Sequence, residues 1–415
     1  MAPRPKARTA VVLSGGGTRG AYEAGVVNYM RTMLPPALGK NFAFQIFCGS
    51  SVGAINASIM VANAHDSTAQ GQELVRLWQN LSTVDIYRRG PVTLGKMLLR
   101  LGAGATVHLI GLKGIFESDE RLFAFHGLFD TAPFFQTLMK SCSWANITRN
   151  IDSGVVDAMA VSATNMATGQ VELFLQKRPE VPHSERLMTH VGRISPRHVM
   201  ASAALPVLFP PVAIHNMYYN DGGIRLSTPI APAVSLGATQ ILVVGTRFQA
   251  MREEVDTQAK MPAPKPPSLA GVLGKFFHAV LLDRLETDKD QLERINRILA
   301  VCAKHTPPET FQQICEDAFV QPIETLYLAP SVDIATLADE TLRSNYRKLE
   351  TFGVMERTIL RLLEIDEMSG SDLLSYFLFE PTYLRKLIDL GFEDARARHD
   401  QLAEFAEKSI RAASG

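Results

Sequence analysis

A serine at the sharpest point of a glycine turn is a candidate nucleophile, and FQIFCGSSVGAINAS, residues 44–58, offers two serines there. The pattern G-x-S-x-G fits only as Gly49, Ser50, Ser51, Val52 and Gly53, so the frame selects Ser51. A strand that turns abruptly into a helix lifts the serine Oγ into the cleft at the end of a sheet, and it needs small neighbours so that the flanking backbone can come close. Gly49, Gly53 and Ala54 meet that need. The N-terminus of the following helix adds positive potential, which places the Val52 N–H to meet an oxyanion. Glycine and serine are also ordinary turn residues, so the reading depends on what else the chain supplies.

The stretch SGGGTRG, residues 14–20, satisfies G-x-G-x-x-G through Gly15, Gly17 and Gly20. A dinucleotide site would need an acidic residue about twenty positions further on to hold the ribose. No aspartate or glutamate occurs between Glu23 and Asp66, so that reading loses most of its weight. A glycine turn at a strand end also exposes backbone N–H groups at a helix N-terminus, which suits an oxyanion that develops during a reaction.

A serine hydroxyl is a weak nucleophile until a base takes its proton. Of the ten histidines, His278, His305 and His399 follow the elbow at distances typical of a hydrolase triad. Each lies in or beside a polar helix pattern, with no strand end to position it. NMYYNDGGIRLSTPI, residues 216–230, is the better source, because Asp221 sits where an apolar run ends and Gly222 and Gly223 let the chain turn sharply. A carboxylate titrating near ~3.9 is a poor base, and apolar surroundings would strengthen it. The approach LPVLFPPVAIHNMYY, residues 205–219, offers such surroundings.

The elements that must position these groups follow from periodicity. TAVVLS (9–14) is a short β-branched run stopped by three glycines, and AYEAGVVNYMRTML then spaces its apolar residues like a helix. The same order recurs at 44–64, at DAMAVSATN (157–165) and at GATQILVVGTRF (237–248), with helical segments expected between them. Such alternation predicts an α/β fold with a mostly parallel sheet covered on both faces.

AKMPAPKPPS (259–268) reads as a proline-rich linker, and helix patterns dominate beyond it. The division expected is a catalytic domain over 9–250, a linker and helical insertion over 259–323, and a C-terminal helical region over 331–415 whose partner is left open. ETLYLAP (324–330) reads as a late strand returning to the edge of the sheet.

Forty-two basic residues balance forty-two acidic ones over 415 residues, so no global field draws the chain to nucleic acid. Cys48, Cys142, Cys302 and Cys315 show neither C-x-x-C spacing nor nearby histidines, so neither a metal site nor a disulfide scaffold is expected, and no cofactor is implied. The basic start MAPRPKART leads into too few apolar residues for a signal peptide, and no run reaches the ~18 apolar residues of a membrane span. A cytoplasmic protein, soluble or resting on a membrane, is expected. Residues 90–116 are apolar, lack acidic residues and carry Lys96, Arg100 and Lys113, which suits a cap in transient contact with anionic lipid.

The ordered set GGGTRG, GSSVG and DGG resembles the patatin-like phospholipases over residues 9–250, and ASAALPVLFPPV (201–212) resembles that family's approach to its aspartate. The resemblance implies a three-layer α/β/α fold and a lipid acyl hydrolase that works without histidine. It implies Ser51 as nucleophile, Asp221 as base, and an oxyanion region formed by Gly15, Gly16, Gly17 and Arg19. Two alternatives stand beside it. One is an enzyme like the acyl carrier protein acyltransferases, which place histidine before the nucleophile where this chain has Ser50. The other is a regulatory or scaffold protein whose catalytic fold has decayed.

Overall fold

The structure is a computed structural model that describes residues 7–88, 127, 129–184, 187–248, 284–318, 320–344 and 371–414. The linker expected at 259–268, the basic segment 90–116 and His278 lie outside the described residues.

The apolar runs read as strands form β1 (Thr9–Leu13), β2 (Ile46–Ser50) and β3 (Ala158–Asn165), every residue of each buried. The chain continues through β4 (Val171–Lys177), β5 (Met188–Val191), β6 (Val212–Ile214), β7 (Met217–Asp221), β8 (Gln240–Val244) and β9 (Glu324–Leu328). The sheet runs in the order β5-β4-β3-β2-β1-β8-β9, and β7 pairs with both β3 and β6. From β3 to β9 every neighbour is parallel. The late strand thus adds to β8 at one edge, Gln240 opposite Glu324 and Val244 opposite Leu328.

At the other edge the helical segments expected between residues 165 and 237 are short, Pro196–Ser202, Gly223–Leu226 and Ile230–Ser235, and further strands accompany them. The chain there forms β4, β5, β6 and β7, with β3 antiparallel to β4 and to β7. VELFLQK alternates only partly, because both faces of β4 are covered and five of its seven residues are buried.

Successive residues of β1 point to opposite sides of the sheet and explain its unbroken hydrophobicity. Val11 and Leu13 join one core with Phe47, Met159 and Val161, while Ala10 and Val12 join the other with Ile46, Cys48 and Ala158. Helices cover each core, giving a mostly parallel central sheet with flanking helical layers.

The C-terminal helices are part of this packing. Leu384, Leu387, Leu402 and Phe405 are buried in the same core as Val11 and Leu13. The first helix (Gly20–Thr32) and the helix Pro381–Ala397 cross at Gly25 and Gly391, where a Cβ on either glycine would strike a backbone carbonyl of the other helix. Among the described residues no helix is long and apolar enough to cross a membrane.

Candidate active site

Ser51 joins β2 to the helix Val52–Ala62 with φ 52° and ψ −125°, a positive φ that costs on the order of 1–3 kcal/mol in a non-glycine residue. The strained turn is held by the groups around it. The Ser51 N–H donates to Ser202 Oγ at 2.9 Å, and its Oγ donates to Asp221 Oδ2 at 2.6 Å. Ser50 is turned elsewhere and accepts from Ser162 Oγ at 2.9 Å. Gly49 and Gly53 mark the close approach, since a Cβ at Gly49 would strike the Gly53 carbonyl and one at Gly53 the Leu13 carbonyl.

Asp221 ends β7 and is fully buried. Its Oδ1 accepts the Gly223 N–H at 2.7 Å, its own N–H donates to Ala204 O at 2.9 Å, and its carbonyl accepts from Thr164 Oγ1 at 2.8 Å. Gly222 lies against Ser162, where no side chain would fit. Burial disfavours the charged carboxylate and pushes its pKa up to about 7, against the lowering effect of the hydrogen bonds from Ser51 and Gly223. A carboxylate so poised takes a proton at neutral pH far better than an exposed one.

The sheet brings these two residues together. Ser50 lies opposite Ser162 across β2 and β3, and the next residue of β3, Ala163, lies opposite Asp221 across β3 and β7. The parallel pair sets the serine at the sheet's end, and the antiparallel strand carries the carboxylate back to it. Of the histidines considered, His305 is exposed at the end of the helix Arg284–His305, and His399 Nδ1 is bonded to Tyr29 OH at 2.9 Å.

The glycine loop runs beside Ser51. Gly15 lies against the Ser51 side chain, its N–H donates to Ser227 O at 2.9 Å, and its carbonyl accepts from Thr246 Oγ1 at 2.7 Å. Among the described residues the Gly16 and Gly17 N–H groups have no backbone acceptor outside the short helical turn. Gly17 adopts φ 59° and lines the same cleft as Ser51 and Val52. Gly20 lies against Val52 and Trp78. Arg19 is buried, and its guanidinium donates to Ser375 Oγ at 2.6 and 3.1 Å and to Thr246 O at 3.4 Å. Its side chain is committed to the C-terminal segment.

Glu23 underlies the loop with no solvent exposure. Its carboxylate accepts from the Ser14 N–H at 2.7 Å and from Asn56 Nδ2 at 2.8 Å, and burial pushes its pKa well above the usual range. Asn56 also donates to Gly20 O at 3.0 Å and accepts from Trp78 Nε1 at 2.9 Å. Glu23 and Asn56 therefore tie the glycine loop to the elbow helix. Sequence reading overlooked them together with Ser162, Ser202 and Ser375. Glu23, an acid in a helix's first turn, reads as a solvated residue until its burial is known.

The cleft over Ser51 is walled by apolar side chains, among them Trp78, Phe134, Leu205, Phe209, Phe377 and Phe379. Such a lining suits a hydrocarbon chain better than a polar group. Among the described residues no cluster of histidine, cysteine, aspartate and glutamate could hold a metal ion.

Residues 11–234 match the profile of a family described as patatin-like phospholipase. None of the curated proteins compared with the chain matches it. Among solved structures the chain is similar to VipD from Legionella pneumophila, with 14% identity, a TM-score of 0.31, and coverage of 93% of this chain and 67% of that one. It is also similar to human GIVD cytosolic phospholipase A2, with 10% identity, a TM-score of 0.43, and coverage of 98% of this chain and 60% of that one. A third likeness is to the ExoU–SpcU complex of Pseudomonas aeruginosa, with 15% identity, a TM-score of 0.27, and coverage of 99% and 75%. The chain spans about three fifths of the length of the human protein (60%).

Proposed function

The chain belongs to the patatin-like phospholipase family, and we propose that it hydrolyses fatty acyl esters of lipids through an acyl-enzyme formed by Ser51 with Asp221 as its base. The observation that supports this most is the 2.6 Å bond from Ser51 Oγ to a buried carboxylate poised near neutrality, at the mouth of an apolar cleft.

In the first step Ser51 Oγ attacks the ester carbonyl carbon, its proton passes to Asp221 Oδ2, and the carbonyl electron pair moves onto oxygen. The N–H groups of Gly16, Gly17 and Val52 receive that oxyanion, while Gly15 and Arg19 hold the loop in place. One such donor is worth roughly 3 kcal/mol of transition-state stabilisation. Collapse of the tetrahedral intermediate breaks the bond to the alcohol oxygen, which leaves with the proton from Asp221. Water then gives a proton to Asp221 as it attacks the acyl-enzyme, and Ser51 leaves with that proton restored. An alkoxide leaves more readily than an amide nitrogen, so esters suit a site with one acid–base group.

Lipid reaches the cleft, on this reading, with help from the basic apolar segment 90–116. Cosedimentation with anionic vesicles, comparing the chain with a Lys96→Glu, Arg100→Glu, Lys113→Glu form, tests that contact, and equal binding by both would remove it.

A fluorophosphonate probe followed by peptide mapping tests the chemistry. Label on Ser51 that vanishes in Ser51→Ala, with acyl release from a lipid panel followed by mass spectrometry, is the expected result. Acyl transfer to acyl carrier protein without release to water would make the chain a transferase, and absence of both label and turnover would leave a scaffold.

A further inference from the structure

The helix Ser371–Phe377 and the residues just after it come back to the glycine loop from more than 350 positions away in the chain. Thr18 Oγ1 donates to the Ser375 carbonyl, which also accepts from Tyr383 OH at 3.2 Å. Arg19 Nε and Nη2 share Ser375 Oγ, and the guanidinium lies 4.3 Å from the centre of the Tyr376 ring. Gly17 lies so close to the Tyr376 carbonyl that a Cβ there would overlap it. Among the described residues Arg19 makes no ion pair, so a buried cation is held by a hydroxyl, a carbonyl and an aromatic face. Beyond this anchor the chain turns so that Tyr376, Phe377 and Phe379 line the cleft containing Ser51.

We propose that the segment Ser375–Phe379 is a working part of the active site. Ser375 positions the glycine loop through Arg19, and Phe377 and Phe379 set the acyl length that the cleft accepts. This rests on the reading of Ser51 and Asp221 as a hydrolytic pair. An oxyanion hole works only if its donors are held within tenths of an ångström of the developing charge before the reaction begins. Three successive glycines cannot hold themselves so tightly. Glu23 and Asn56 fix the loop on the side of the elbow helix, and Ser375 fixes the opposite side through Thr18 and Arg19. The two phenylalanines are partly buried where a hydrocarbon tail would pass, so their bulk decides how much of the tail fits.

The test uses the full chain on p-nitrophenyl butyrate, octanoate and palmitate, with competent sites counted by fluorophosphonate titration. Ser375→Ala is expected to lower kcat per titrated site by about tenfold to a hundredfold on all three esters, with KM little changed. Ser375→Thr, which keeps the hydroxyl, should recover most of the loss. Phe379→Trp is expected to lower kcat/KM for palmitate about tenfold relative to butyrate. Ser375→Ala with an unchanged kcat per titrated site, only fewer sites or a lower Tm, would reduce Ser375 to a packing residue and overturn its positioning role. If Ser375→Ala does not fold, Arg19→Lys carries the same comparison, and full kcat in that variant overturns it equally. An unaltered chain-length profile in both Phe377→Trp and Phe379→Trp overturns the acyl-length role. Loss of the hydrolase reading itself looks different: the unmodified chain would then show no turnover that depends on Ser51.

Discussion

Ser51 Oγ and Asp221 Oδ2 lie 2.6 Å apart although 170 residues separate them in the chain. The carboxylate's other oxygen is fixed by the Gly223 N–H and the serine's main chain by Ser202. Ser51→Ala should abolish both ester turnover and fluorophosphonate labelling. Asp221→Asn keeps the shape and removes the proposed base, so kcat should fall by roughly 10²–10⁴-fold, the contribution of a positioned general base. Circular dichroism of both variants should match the parent, and retained hydrolysis by Asp221→Asn would move the base to a histidine.

The buried carboxyl also fixes a pH profile. Asp221 accepts a proton only when ionised, and burial raises its pKa to about 7, so kcat/KM should rise with pH up to about 7 and level off above it. Stability should run the other way. The folded carboxyl binds its proton more tightly than the unfolded one, so stability is greatest below about pH 4 for this group and is lost as pH rises through about 7. The loss is on the order of a few kcal/mol. Asp221→Asn should therefore unfold at higher urea concentration than the parent at pH 8, and show a smaller slope of stability with pH between 4 and 7. Equal slopes in the two proteins would mean that the carboxyl is not held in its raised state.

Glu23 is the joint between the glycine loop and the elbow helix. Glu23→Ala leaves the Ser14 N–H and one Asn56 donor buried without an acceptor, and each such group costs about 1–3 kcal/mol. Urea unfolding should report a loss of about 3 kcal/mol, with Glu23→Gln losing less because one amide oxygen can still serve Ser14. The kcat should fall in both variants, since Ser14 leads directly into Gly15. A stable Glu23→Ala protein with full turnover would show that the loop holds itself.

Much of this arrangement was legible in the residues. Runs such as TAVVLS and GATQILVVGTRF give β1 and β8 because a parallel strand buried on both faces must be apolar throughout. The glycine turns at 15–20, 49–53 and 221–223 were visible as strand ends, since only small residues pass where backbone meets backbone. The strands β4, β5 and β6 were not, because β4 mixes polar with apolar residues and β5 and β6 are only three or four residues long. The return of Ser375 and Tyr376 to the loop was hidden for another reason. Nothing local in SDLLSYFLFE says that its partner is Arg19, because tertiary contacts of a helix depend on where its neighbours have already packed.

Gly53 offers the sharpest check on the elbow. In the first turn of a helix, glycine to alanine ordinarily stabilises by up to about 1 kcal/mol, because alanine is the better helix former. Here a Cβ would enter the carbonyl of Leu13, a residue of the central strand with no solvent exposure and no freedom to retreat. The elbow must instead move outward, carrying Ser51 from Asp221 and lengthening the 2.6 Å bond. Gly53→Ala should thus cost about 2–3 kcal/mol by urea unfolding, reversing the usual sign, and should lower the rate of fluorophosphonate labelling by at least about tenfold. A stabilised Gly53→Ala protein that labels at the parent rate would show that the serine's placement tolerates a looser turn.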